Sequence, residues 1–145
     1  MNLLLGLVVM VVCLALQALL VGGVISYYAA RKTSVLNGSL LGNFSLLGVI
    51  MVFLVVGNVV QIGLWAILFQ WLGEFDTLGE AYYHSAVNFA TLGYGDIVMS
   101  DDHRILGPLE AINGVLMIGV STAVLMSALQ NLLRLRDSTS KSDSG

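Results

Sequence analysis

Three apolar stretches, each long enough to cross a bilayer, constrain this chain more than any other feature. They run from about Leu3 to Tyr28, from about Leu46 to Leu72 and from about Leu109 to Leu133. A membrane helix needs about 20 apolar residues to cover the hydrocarbon core. No charged side chain occurs before Arg31, and none falls between Ala111 and Leu133. In hydrocarbon every backbone N–H and C=O must be satisfied inside the protein, and a run of this length does so as a helix. The composition agrees: 57% of residues are hydrophobic and 10% charged, against about 25% charged in soluble domains. A cleavable signal peptide wants a basic n-region and a shorter apolar core, and Met1-Asn2 brings no charge.

The charges orient the spans. Arg31 and Lys32 follow the first, and Arg134, Arg136 and Lys141 follow the third. Glu74, Asp76, Glu80, Asp96, Asp101 and Asp102 lie between the second and third, with Arg104 the one basic residue among them. The positive-inside rule places the 31–45 loop and the C-terminus in the cytoplasm. The N-terminus and the region from Glu74 to Arg104 then lie outside. The net charge of −3 and the lack of a basic block argue against a nucleic-acid partner. Cys13 is the sole cysteine and reads as a small buried hydrophobe. No nucleophile–base pair, metal-ligand spacing or phosphate loop is present, so neither an enzyme nor a cofactor is expected.

Between the second and third spans, Thr77 followed by Glu80 makes a capping-box pattern. A helix from about Leu78 to Ala90 would be roughly 20 Å long, too short for about 30 Å of hydrocarbon. It should dip in and return as extended backbone, which is tolerated at that depth only where it is buried or lines a water-filled path. The returning segment is Thr91-Leu92-Gly93-Tyr94-Gly95-Asp96. Glycine accepts either sign of φ, so successive carbonyl oxygens can point one way and replace the water shell of a cation. One chain supplies one wall of such a path, and four copies would supply four oxygens per level. Rotational symmetry is the ordinary closed solution for identical subunits.

On these residues the chain resembles the pore-loop potassium channel family, with TLGYGD where TVGYGD is usual. The resemblance covers about Phe75 to Leu133. It implies an all-α membrane protein with three transmembrane helices plus a re-entrant pore helix and filter loop. Residues 1–45 would form an N-terminal transmembrane helix and cytoplasmic loop. Residues 46–133 would form the pore domain, and 134–145 a short disordered tail. The function implied is a passive potassium-selective channel subunit in a homotetramer, in a lipid bilayer such as a bacterial inner membrane. A poorly selective cation channel and a non-conducting membrane subunit remain alternatives.

Residue by residue, the resemblance implies that K+ meets oxygens of Thr91, Leu92, Gly93 and Tyr94, with Gly95 at the outer mouth. Asp96 would sit behind the filter and accept hydrogen bonds. Leu92 replaces the common Val, and Ala90 stands where a second Thr is common. Tyr82 and Tyr83 are candidates for bracing the filter, or alternatively interfacial belt residues. Gly114 and Gly119 are candidate gating hinges, or glycines that allow close packing. Gly107-Pro108 suits the start of the inner helix. Glu110 then falls in its first turn, as a charge favouring the helix dipole or as an ion attractor. Ser121 and Thr122 could face a cavity or bond to a neighbouring helix. Asn58 and Gln61 share a face of the second span, and with Gln17 they read as interhelix polar contacts. His84 and His103 lie near the outer side and can titrate near neutrality. The first span lacks the Arg ladder of a voltage sensor.

Overall fold

The computed structural model describes residues 2–36 and 40–142, with side chains at 2–30 and 44–134. Among the described residues there are four helices: α1 (Asn2–Leu36), α2 (Leu40–Trp71), α3 (Leu78–Phe89) and α4 (Leu106–Ser142). Three are long and apolar enough to cross a membrane, over Asn2–Ala30, Phe44–Trp71 and Leu106–Arg134. The spans expected from hydropathy fall within a few residues of these bounds.

Three boundaries differ from expectation, the first being that the backbone of α1 continues as helix to Leu36, inside the segment expected as a loop. Gly42 and Asn43 lie inside α2, not in a loop; Gly38 is outside the described residues. The second helix therefore begins before its span, because a single Gly in a helix costs only about 1 kcal/mol. The expected disordered tail is also helical in backbone through Ser142. Residues 134–142 contain neither Gly nor Pro, and extending a helix already nucleated by a buried span is cheap.

The helices enclose two apolar layers with a polar seam between them. One layer joins Cys13 of α1, Trp65, Ala66 and Phe69 of α2, Ala81 and Phe89 of α3, and Leu106 and Met117 of α4. At the opposite end Val24, Leu46, Ile50, Leu54, Ala128 and Leu132 form the second. In the seam, Gln61 Nε2 donates to Gln17 Oε1 at 2.8 Å, and Gln17 Nε2 donates to Ser121 Oγ at 3.0 Å. One row of amides thus ties α2, α1 and α4 together. The first helix is seated further by glycines: Gly6 lies against Leu109 and Leu106 of α4, and Gly57 of α2 against Leu20. Asn58 takes no part in the row; its Oδ1 is buried without a partner.

The short helix α3 packs on both α2 and α4. Its last residue, Phe89, meets α4 at Gly114, eight residues past the start of α4, or about 12 Å along its axis at 1.5 Å per residue. The chain then climbs back, and Ser100 bonds to Glu74 just beyond α2. The segment enters and leaves on one side, so it is re-entrant.

Candidate functional site

The loop after α3 owes its shape to how that helix ends. At the N-terminus Thr77 caps the helix, its hydroxyl accepting from the Glu80 N–H at 3.2 Å. At the C-terminus the Thr91 N–H bonds to the Asn88 carbonyl at 2.8 Å and the Leu92 N–H to the Val87 carbonyl at 2.9 Å. This pair is the Schellman closure, which needs a left-handed residue at the first position past the cap. Thr91 supplies it with φ +59°. A β-branched residue there is unusual and costs roughly 1–2 kcal/mol, so surrounding structure must hold it. Gly93 and Gly95 follow with φ +56° and +72°. Every second residue of 91–95 is thus left-handed, while Leu92 and Tyr94 are not. Thr91 to Asp96 are all exposed on the single chain.

Beyond the loop, the chain is fastened back onto α3. The Tyr83 hydroxyl donates to Asp96 Oδ2 at 2.7 Å. That bond holds the Asp96 carboxyl below its ordinary range and raises the Tyr83 phenol. One residue on, His84 Nδ1 lies 2.8 Å from the Ile97 carbonyl oxygen, and its Nε2 lies 2.8 Å from Asn88 Nδ2. A carbonyl can only accept, so Nδ1 carries the proton and Nε2 accepts from the Asn88 amide. The imidazole is also gripped by rings, with centroids 5.7 Å from Phe69 and 4.9 Å from Phe75. A cleft of about 380 Å³ runs behind the loop, lined among others by His84, Asn88, Thr91, Gly93 and Pro108.

Glu74 anchors the outer rim. It accepts from the Ser100 N–H and hydroxyl at 2.6 Å each and from His103 Nδ1 at 2.5 Å. Burial pushes its carboxyl up, but the bonds from Ser100 and His103 outweigh burial and leave it below its ordinary value.

Residues 49–131, more than half of the chain, match the protein family described as "Ion channel". The chain belongs to that family. No curated protein and no solved structure matches it. The matched region contains α3, the loop and most of α2 and α4. The channel is therefore a multi-pass membrane protein whose re-entrant helix and loop lie inside the family's defining region.

Within the channel, Tyr83 reaches Asp96, whereas Tyr82 turns the other way, its hydroxyl 3.4 Å from the Val59 carbonyl oxygen of α2. Gly114 is buried where α4 meets Phe89, and a Cβ there would strike the Phe89 backbone. Apart from its chain neighbours and its own helix backbone, none of the described residues lies within 4 Å of a Cβ at Gly119. Ser121 bonds to α1, while exposed Thr122 bonds to the Ile118 carbonyl of its own helix at 2.9 Å. Glu110 differs from expectation. Because α4 starts at Leu106, it falls past the first turn, fully buried, with its carboxyl against the Ser85 hydroxyl. It is neither an exposed dipole charge nor an ion attractor at a mouth. Sequence reasoning named His84 as a titratable group near the outer side, and missed Asn88 and Ser85, which join it in supporting the loop. Their signal was present in the α3 sequence: polar residues at positions 84, 85 and 88, spaced to share one side of a short helix.

Proposed function

We propose that the chain is one subunit of a homotetrameric channel that conducts K+ passively and selectively. Thr91, Leu92, Gly93, Tyr94 and Gly95 form the filter, with K+ held by oxygens of the first four. The supporting observation is the alternation of φ sign along 91–95. Alternating hands let successive peptide units face the same way, N–H groups on one edge and carbonyls on the other. A row of carbonyls is what replaces a cation's hydration shell. Symmetry is favoured by exposure: the loop carries Leu92 and Tyr94 at 55% and 64% accessibility in the single chain. Adjacent subunits would cover these side chains and the cleft behind them. The C-terminal end of α3 directs its negative dipole end toward the ion path. The charge distribution supports an external N-terminus and filter and a cytoplasmic C-terminus. Gly119 and Gly114 remain the candidate gating positions on α4.

Purified protein in liposomes tests the proposal. Potassium flux should exceed sodium flux, crosslinking should reach four subunits, and Gly93→Ala should abolish the preference. At φ +56° an L-residue is disfavoured by roughly 1–2 kcal/mol, even though open space surrounds the position. Equal fluxes would favour a poorly selective cation channel. A selective Gly93→Ala channel would refute the carbonyl assignment.

A further inference from the structure

Ser85 makes two contacts with a single proton. Its hydroxyl oxygen lies 2.9 Å from the Ile62 carbonyl oxygen of α2 and within hydrogen-bond reach of Glu110 Oε1 of α4. A hydroxyl carries one hydrogen, a carbonyl oxygen only accepts, and an ionised carboxylate only accepts. With Glu110 ionised, Ser85 would satisfy one neighbour and present a lone pair to the other. With Glu110 as the neutral acid, the chain closes. Glu110 O–H donates to Ser85 Oγ, Ser85 O–H donates to Ile62 O, and each proton is used once.

The surroundings point the same way. Glu110 and Ser85 are both fully buried, and Glu110 belongs to the α4 span. Among the described residues the ion pairs are Glu74–His103 and Asp101–Arg104, and neither reaches Glu110. The groups around it are the Cys13 thiol from α1, the Ile62 carbonyl from α2 with Trp65 near Cys13, Ser85 and the Asn88 amide from α3, and Asn113 of its own helix. The imidazole of His84, beside Ser85 in α3, already gives its Nδ1 proton to Ile97 and accepts from Asn88. None of these supplies a fixed positive charge. Glu110 Oε2 is buried without a hydrogen-bond partner, far costlier for a charged oxygen than for a neutral carbonyl. An ionised side chain at this depth needs a cationic partner, and among the described residues no ion pair reaches Glu110.

We propose that Glu110 is a neutral carboxylic acid at neutral pH and a positioning residue for the filter. Its proton ties α4 to α3 through Ser85, and Ser85 ties α3 to α2. That Glu110 positions the filter rests on the function proposed above; its protonation state does not. The sign is fixed by the donor count: raising the pH until Glu110 ionises removes the proton that joins the helices, and lowering it changes nothing at this junction.

Infrared spectroscopy of the full-length protein in lipid tests this without transport. At neutral pH the parent should show the C=O stretch of a protonated carboxyl, and Glu110→Gln should lose it. Ser85→Ala should move the band to higher frequency, because the acid loses its acceptor. The melting temperature of the parent should fall on the alkaline side, while that of Glu110→Gln, which keeps an N–H donor, should stay level. If Glu110→Gln does not fold, the shift in Ser85→Ala decides. A parent spectrum without the acid band, or a band that Ser85→Ala leaves in place, overturns the proposal. Either result stands whatever ion the channel prefers.

Discussion

Gly114→Ala probes the contact on which the depth of the filter depends. A Cβ at this position would lie 2.8 Å from the Phe89 carbonyl carbon and 2.9 Å from its Cα, and closer still to its oxygen. Ordinary van der Waals contact begins at 3.4 Å and the oxygen is the closest atom struck, so the two backbones must part by more than an ångström. No side chain can swing aside, since every atom struck belongs to the last turn of α3. Overpacking a well-filled site costs about 1–3 kcal/mol, and a backbone obstacle puts this substitution at the upper end. Phe89 leads through Ala90 directly into Thr91, whose left-handed conformation is held by the bonds to Val87 and Asn88. Moving Phe89 therefore moves the first filter level. Gly119→Ala is the control: beyond its own helix backbone it meets none of the described residues and should gain up to about 1 kcal/mol of helix propensity. Thermal melting in detergent should show Gly114→Ala clearly destabilised and Gly119→Ala at or above the parent. Liposome flux should show a lower potassium-to-sodium ratio for Gly114→Ala alone. Parent-like melting and flux in Gly114→Ala would refute the close contact and its link to the filter.

Three further expectations concern the supports. Tyr83→Phe removes the donor to Asp96, so the Asp96 carboxyl should titrate nearer its ordinary 3.8; carbon NMR of labelled Asp would register no change if the bond were absent. Gln17→Leu cuts both bonds of the polar seam, and at about 0.6 to 1.7 kcal/mol per membrane hydrogen bond it should lower the melting temperature. A melt equal to the parent's would mean that the amides do not join α1 to the pore helices. Glu74 sits below its ordinary 4.5 in the folded protein, so its contribution is present above that pH and fades as the pH falls through the folded value. Acidification should then lower the melting temperature of the parent more than that of Glu74→Gln, and parallel pH profiles would count against the anchored rim.

Much of the architecture was legible in the sequence because it depends on local chemistry. Hydrocarbon forces uninterrupted apolar runs into helices, so the three spans could be placed within a few residues. The cap at Thr77 followed from side chains a turn apart. Glycines at 93 and 95 announced positive φ, since few other residues accept it. Thr91 could not be foreseen in the same conformation: its β-branched side chain argues against it, and only the closure onto Val87 and Asn88 holds it there. Tyr82 and Tyr83 are neighbours in sequence, but successive helical residues point about 100° apart. Which of them meets Asp96 was set by the rotation of α3 between α2 and α4. The start of α4 at Leu106 carried Glu110 out of the first turn and against Ser85, a partner 25 positions away. Gln17 found Gln61 across 44 positions. Periodicity shows that such polar groups need a protein neighbour in the membrane; which neighbour they find is decided by how whole helices dock, through contacts that no local stretch of sequence contains.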